Sequence, residues 1–226
     1  MFIGHFAPAF AARAITSEAP KLGTLFVAAQ LVDWAFYLFV MSGVENMRLT
    51  PSITAMNPLD LYDYPLTHSL LGTIGWAAGF ALLVALTLRN AVAATWAAIV
   101  VASHWLMDWV SHRPDLTLVG SGDRYGLGLW NYPVAAMAVE LAIVGAAFWW
   151  YLARTKGPLV PPLALLVTML VFQGINWFGP PPTEVDFAML ATGLFAFAVL
   201  TALAWWVGAT RWHRDEVGLA VASPPP

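Results

Sequence analysis

The sequence predicts an all-α fold, a polytopic membrane helix bundle with about six transmembrane helices and a short N-terminal helix that enters the membrane. Of the 226 residues, 60% are hydrophobic and only 10% are charged, where a soluble domain has about 25% charged residues. The mean hydropathy is +0.70. Long stretches without Asp, Glu, Lys or Arg recur along the chain, and each is close to the roughly 20 residues that a helix needs to cross a bilayer.

These stretches give six predicted spans. Three spans contain no charged residue, and the other three contain one acid each: Asp33, Asp108 and Glu140. The spans lie near residues 22–41, 66–88, 91–111, 131–152, 158–178 and 187–208. Clusters of Gly and Pro fall near their ends, where these residues break helices. We expect one transmembrane domain over residues 1–215 and a flexible C-terminal tail over residues 216–226.

The first residues of the chain allow two interpretations. Residues 2–15 are apolar apart from His5 and Arg13, and no basic region precedes them as it does in a secretory signal. A helix over residues 2–16 is about 22 Å long, which suits a half-helix within the membrane. The other interpretation is an amphipathic anchor that lies in the membrane interface.

The charges predict the orientation of the bundle and exclude other classes of protein. Loops 42–65 and 112–130 carry only three basic residues, Arg48, Arg113 and Arg124, whereas the other loops carry seven. Because basic loops are normally cytoplasmic, we expect a multi-pass inner-membrane protein with a cytoplasmic C-terminus. A net charge of −3 without a basic block argues against a nucleic-acid partner. The absence of Cys excludes thiolate catalysis and thiolate metal ligands.

Polar residues inside the spans predict a metal site. His104, Asp108 and His112 are spaced i, i+4, i+8 and therefore share one helix face. Imidazole and carboxylate groups in this arrangement suit a divalent cation, with zinc the commonest match. A single membrane His is more often a packing residue, but other groups reach the same depth. The full set of predicted ligands is His5, Asp33, His68, His104, Asp108 and His112.

Four further residues are candidates for catalysis. Glu140, Asp63 or Glu45 offers a carboxylate as a general base, although Glu140 also suits a ligand, a partner of a ligating His, or a protonated packing group. Arg113 directly follows His112 and is the first candidate to hold a phosphate. By contrast, we expect His213 to be a headgroup-facing anchor, and Gln173 and Asn176 to bond helices together.

The order of these motifs resembles a known family. Gly4-His5, then Asp33, Thr67-His68-Ser69 and Ser103-His104-x-x-x-Asp108 are similar to the pattern of the bacterial inner-membrane metal-dependent hydrolases. That family is distantly similar to zinc-dependent phospholipase C and the S1/P1 nucleases. The resemblance implies that His5, Asp33, His68, His104 and Asp108 bind metal. The family often has H-R-G before T-H-S, where this chain has Asp63-Tyr64-Pro65, and one or two metal ions are therefore expected.

Two classes of function remain open at this point. The first is a membrane-embedded hydrolase that uses one or two divalent ions, zinc foremost, to act on a lipid-like substrate such as a phosphoester. Its partners would be membrane lipids. The second is a non-catalytic accessory or binding protein with a structural His/Asp core. Haem held between His68 and His104 is one form of this alternative.

Overall fold

The computed structural model describes residues 1–215. The predicted flexible tail, residues 216–226, lies outside the described residues. Within residues 1–215 the chain forms an all-α bundle, as predicted, preceded by a short 3₁₀ helix over Ile3–Phe6. The seven α-helices are α1 (Ala7–Ile15), α2 (Leu22–Met41), α3 (Leu70–Leu88), α4 (Ala91–Ser111), α5 (Pro133–Arg154), α6 (Val160–Phe178) and α7 (Phe187–Thr210).

Six of these helices, α2 to α7, are long and apolar enough to span a membrane. They coincide with the six predicted spans, and the starts of three of them are set by side chains that cap exposed backbone N–H groups. Ser69 accepts a hydrogen bond from the third residue of α3, Asn90 does so for α4, and Asp186 does so for α7. The features of the bundle are those of a multi-pass membrane protein.

The N-terminal segment lies inside the bundle. Ile3, Phe6 and Phe10 have no exposed surface, and α1 packs mainly against α5 and α2. The ring of Phe10 contacts Phe26 edge-on at 5.3 Å and Phe148 at 5.5 Å. The interpretation as an interfacial anchor is wrong, because an anchor would leave one face of the helix outside the protein.

Short antiparallel strand pairs, which the sequence analysis did not predict, close the two ends of the bundle. At one end, hereafter the hairpin end, β1 (Asn46–Leu49) pairs with β2 (Leu59–Asp63), and β3 (Leu116–Thr117) pairs with β4 (Arg124–Tyr125). At the opposite end, β5 (Thr155–Lys156) pairs with β6 (Trp212–His213). The β5–β6 pair joins the residues that follow α5 to those that follow α7.

Helices α2 and α7 approach each other closely at two glycines. A Cβ atom at Gly23 would lie 1.7 Å from the ring of Trp205, and one at Gly193 would lie 2.1 Å from the ring of Tyr37. Both contacts are far shorter than van der Waals separation, so the packing requires glycine at these positions. This close contact holds α2, which carries Asp33, at a fixed place in the bundle.

Candidate metal centre

The site is built on the face of α4 that turns toward the bundle interior. His104 Nε2 lies 3.1 Å from Asp108 Oδ2, and His112 Nε2 lies 3.4 Å from Asp108 Oδ1. The i, i+4 spacing on one helix places these neighbours side by side. His104, Asp108 and His112 are each no more than 3% exposed, so the polar face of α4 is enclosed by the other helices.

Three other segments bring the remaining predicted ligands to the same point. His5 Nε2 lies 3.1 Å from Asp108 Oδ1, and His68 Nε2 lies 3.7 Å from Asp108 Oδ2. Asp33 Oδ1, on α2, lies 3.2 Å from His68 Nε2 and 3.4 Å from His104 Nε2. The structure therefore brings all six predicted residues together in one buried cluster, hereafter the His/Asp cluster (His5, Asp33, His68, His104, Asp108 and His112).

Two of the imidazoles are held through their second ring nitrogen. His104 Nδ1 lies 3.0 Å from the carbonyl oxygen of Ala29, to which it donates a hydrogen bond. His112 Nδ1 lies 3.1 Å from Asp115 Oδ1. A ligating His is normally oriented in this way by a carbonyl or carboxylate behind it. In both residues Nε2 is therefore the atom turned toward the cluster.

A buried chain of hydrogen bonds orients His68 in the same way. Thr67 Oγ1 donates to Glu45 Oε2 at 2.6 Å and lies 2.8 Å from His68 Nδ1. Because the Thr67 hydroxyl has a single proton, His68 Nδ1 is the donor to Thr67, which leaves Nε2 facing Asp33. Glu45 Oε1 also accepts the backbone N–H groups of Leu66 and Thr67, so this candidate general base is engaged in fixing the loop.

The orientation of the His68 and His104 rings places ring nitrogens and carboxylate oxygens face to face at the centre of the cluster. With Nδ1 protonated, the Nε2 atoms of His68 and His104 point lone pairs at carboxylate oxygens 3.1–3.4 Å away, and His104 Nε2 has no hydrogen-bond partner. A proton or a metal ion must lie between such atoms. Two ligands of a tetrahedral zinc ion are themselves about 3.3 Å apart, so the spacing fits a metal.

Two groups of side chains could hold a metal ion, His5 with His104 and Asp108, and Asp33 with His68 and His104. Within each group the ligand atoms lie within 4.8 Å of one another. His5 and His104 are stacked, with ring centroids 3.8 Å apart. Imidazole nitrogens and carboxylate oxygens are ligands that divalent transition metals accept.

A cavity of about 130 Å³ leads to the cluster. Half-buried Trp130 and Trp177, together with Phe2 and Phe36, form its aromatic lining. Among residues 1–215, no Lys or Arg lines this cavity. The other lining residues are Met1, His5, Asp33, Met56, Asn57, Leu59, Leu61, His68, Asp108, His112, Glu140 and Asn176.

Two predicted catalytic residues lie outside this cavity. Asp63 is exposed on β2 and accepts a hydrogen bond from Asn46. Arg113 donates to Asp60 Oδ1 at 2.6 Å and lies 3.5 Å from Asp115 Oδ2. Arg113 lines no cavity at the cluster, whereas Asp63 lines a second, smaller cavity of about 80 Å³ that it shares with His68 and Arg124. The catalytic roles of Asp63 and Arg113 remain predictions.

Glu140, another of the predicted catalytic residues, lines the cavity together with Met1 and Phe2 of the N-terminal segment. Its carboxylate accepts hydrogen bonds from the backbone of Phe2 and Gly4 and from Gln173. Gln173 thus bonds segments together, as expected, whereas Asn176 lies at the cavity. The expectation for His213 is wrong: it is fully buried, with Nε2 3.3 Å from the carbonyl oxygen of Ala14, and does not face headgroups.

The sequence analysis missed several partners of the cluster. Asp115 behind His112 and Thr67 behind His68 were not singled out, although their spacings of three residues and one residue are visible in the sequence. Ser111 Oγ and the amino group of Met1 also contact the cluster, with the amino nitrogen 3.0 Å from Asp108 Oδ1. That long-range contact has no local sequence signal.

Outside the spans, Asp115 affects two titratable groups. Burial and the neighbouring Asp115, whose Oδ1 accepts the Tyr64 hydroxyl at 2.8 Å, raise the pKa of Tyr64 well above its usual value. Tyr64 is therefore a hydrogen-bond donor at neutral pH. Burial lowers the pKa of His112, but Asp108 and Asp115 outweigh burial and raise it to about 9.

No protein-family model, curated protein or solved structure matches this chain. The resemblance to inner-membrane metal-dependent hydrolases rests on the short motifs alone.

Proposed function

We propose that this protein is a membrane-embedded hydrolase that depends on a divalent metal, zinc foremost, and acts on the polar linkage of a lipid. One observation carries the proposal. Four buried imidazoles and two carboxylates lie in one cluster that contains two sets of possible metal ligands, and three of the rings are fixed through their second ring nitrogen. Hydrogen bonds at the second ring nitrogen, here Nδ1, are characteristic of ligating histidines. The motif resemblance to inner-membrane metal-dependent hydrolases agrees with it.

The two oxygens of Asp108 suggest how one or two ions would be held. Oδ2 faces His68 and His104, which also face Asp33, whereas Oδ1 faces His5 and His112. His5, His104 and Asp108 would hold an ion at one position, and Asp33, His68 and His104 would hold one at the other. A bound zinc ion would supply hydroxide at neutral pH by lowering the pKa of its water to about 7.

The aromatic and aliphatic side chains of the cavity would select and orient the substrate. Its volume of about 130 Å³ would admit the polar linkage of a lipid. The aromatic and aliphatic lining suits the part of a lipid next to that linkage. The acyl chains would stay in the bilayer, which supports a membrane lipid as substrate, with a phosphoester as the first candidate.

The geometry does not favour the haem alternative. The rings of His68 and His104 have centroids 5.4 Å apart and meet edge to face. Axial imidazoles bind opposite faces of a haem, and these two rings leave no gap for a porphyrin between them. The remaining alternative is a non-catalytic protein with a structural His/Asp core, which is an outcome of the experiment below.

The test compares His104→Ala with His213→Ala. Both variants remove one buried imidazole, but only His104 belongs to the His/Asp cluster. Metal per chain is measured by elemental analysis after purification in detergent without chelator. On the same samples, hydrolysis is measured as inorganic phosphate released from lipid phosphomonoester vesicles and as headgroup, free or phosphorylated, released from lipid phosphodiester vesicles. We expect the wild type and His213→Ala to contain one or two ions and to hydrolyse one of the lipids. His104→Ala should lose both properties.

Two results would contradict the proposal in different ways. Equal metal content in the wild type and His104→Ala would show that the cluster is not the metal site. Bound metal in the wild type without hydrolysis of any lipid ester tested would leave a metal-binding accessory protein.

A further inference from the structure

Glu140 and Gln173 hold the backbone of the N-terminal segment from two different helices. Glu140 Oε1 accepts the N–H groups of Phe2 at 2.8 Å and Gly4 at 2.9 Å. Gln173 Oε1 accepts the N–H of Ile3 at 3.2 Å. Gln173 Nε2 in turn donates to Glu140 Oε2 at 3.3 Å. The two side chains therefore form one unit, hereafter the Glu140–Gln173 anchor.

The anchor replaces a cap that the segment lacks. The first N–H groups of any helix have no acceptor within the helix, and Phe2, the residue before the 3₁₀ helix, gives no side-chain cap. Glu140 and Gln173 are 4% and 1% exposed, so water does not readily replace them as acceptors. A carboxylate is also the favourable charge at the positive end of a helix.

Gly4 permits this contact. A Cβ atom at position 4 would lie 2.7 Å from Met1 Sδ and 3.3 Å from Glu140 Oε1. A side chain there would push the backbone away from the carboxylate. The Gly in the Gly4-His5 pair thus has a packing reason that is connected to Glu140.

The anchored turn fixes His5. His5 directly follows Gly4, its ring stacks on that of His104 with planes 4° apart, and its Nε2 lies 3.1 Å from Asp108 Oδ1. Unlike the other three imidazoles, His5 has no partner at its second ring nitrogen Nδ1. Its position therefore depends on the backbone that carries it.

We infer that Glu140 and Gln173 are positioning residues that hold His5 in the His/Asp cluster, and that Glu140 is not the general base. The effect on metal and activity rests on the proposed function, but the anchoring itself does not. Both oxygens of Glu140 already accept hydrogen bonds, and a general base at this place would have to release them. The anchor needs acceptor oxygens in the right places, whereas a base needs a carboxylate at position 140.

Exchanging the two side chains separates these roles. In the double variant E140Q/Q173E, the new amide at position 140 offers its carbonyl oxygen to Phe2 and Gly4. Its NH₂ group donates to the new carboxylate at position 173, which still accepts from Ile3. Every hydrogen bond of the anchor is retained, while position 140 has no carboxylate. We expect this variant to keep the wild-type metal content and activity within a few-fold. In E140L, which leaves the N–H groups without an acceptor, we expect metal affinity to fall about 10–100-fold.

A third measurement reports the position of the segment without metal or activity. The chain contains no Cys, and Ala9 is fully buried. The substitution Ala9→Cys therefore introduces a single thiol that can be titrated with a maleimide in detergent. This thiol should stay unreactive in the otherwise wild-type and E140Q/Q173E backgrounds and react several times faster with E140L.

Loss of activity with retained metal and an unreactive thiol in E140Q/Q173E would overturn the inference and identify Glu140 as the base. An unreactive thiol and normal metal in E140L would also overturn it. If no background holds metal, the proposed function fails, but the reactivity of the thiol at position 9 still decides whether the anchor exists.

Discussion

Buried ionisable side chains lie at both ends of the bundle, but they are used differently. At the end opposite the hairpins, Arg13 and Arg211 are each 5% exposed and His213 is fully buried. Arg211 Nη1 donates to the carbonyl oxygens of Gly157 at 2.7 Å and Pro158 at 2.9 Å. Arg13 and His213 also contact backbone carbonyls. These side chains close the loops and the β5–β6 pair.

At the hairpin end the ionisable groups face one another instead. The Nε2 atoms of His68 and His104 point at Asp33 and Asp108, and a cavity reaches the same atoms. A buried charge that is fully satisfied by main-chain acceptors stabilises a fold. Ring nitrogens that face carboxylates beside a cavity need a proton or a metal ion between them. The comparison shows that the direction of the donor and acceptor atoms, and not burial alone, distinguishes the site.

Asp108→Asn and Arg211→Met, one at each end, should differ most in their effects on metal content and thermal stability. Asp108→Asn removes the charge that faces four imidazoles, and we expect it to abolish metal binding. Arg211→Met leaves buried carbonyls without donors, which costs about 1–3 kcal/mol for each unsatisfied group. It should lower the thermal midpoint while metal content stays normal. Elemental analysis and thermal unfolding in detergent measure the two effects.

The reverse pattern would contradict the comparison. Normal metal content in Asp108→Asn, or lost metal in a folded Arg211→Met protein, would mean that the two ends do not have separate roles.

A pH titration of metal affinity gives a second, smaller effect. The carboxylates of Asp108 and Asp115 raise the pKa of His112 to about 9, so the metal-free protein carries a proton there at neutral pH. Because a bound metal must displace that proton, affinity should rise about tenfold per pH unit up to about pH 9. Competition with a chelator of known pH dependence measures it.

The same shift fixes the sign of a stability effect in the metal-free protein. The folded pKa of His112 lies above its usual value of 6.5, so its contribution is full below about pH 6.5 and is lost as the pH rises through 9. The stability difference between the wild type and His112→Gln should shrink over this window. A metal affinity that is flat with pH in the wild type would contradict the predicted protonation of His112.

The smallest effect concerns the groups behind the rings. Thr67→Val keeps the shape of the side chain but removes the acceptor of His68 Nδ1. We expect metal affinity to fall about tenfold, at the lower end of the effects seen for such partners, with the fold intact. Thr155→Val is the matched control, because Thr155 lies at the opposite end beside Arg211. Equal affinity in the wild type and Thr67→Val would show that this contact does not orient a ligand.

Much of the fold could be predicted because its signals are local. Hydropathy and charge-free stretches located all six long helices, since a span must be apolar over its whole length. The starts of α3, α4 and α7 are set by the caps Ser69, Asn90 and Asp186, and the predicted span for α3 began four residues too early because the Ser69 cap was not recognised. The short hairpins were missed, because strands of two to five residues have too little periodicity to recognise.

For the site, the sequence by itself determined the chemical types and the shared face of His104, Asp108 and His112, because helical periodicity fixes which residues lie side by side. Only the tertiary structure decided the rest. It buried the N-terminal helix so that His5 reaches Asp108, and it engaged Glu140 with backbone N–H groups and Arg113 with Asp60. These contacts join residues that lie 53 to 136 positions apart, and no local pattern specifies which distant groups share one interior.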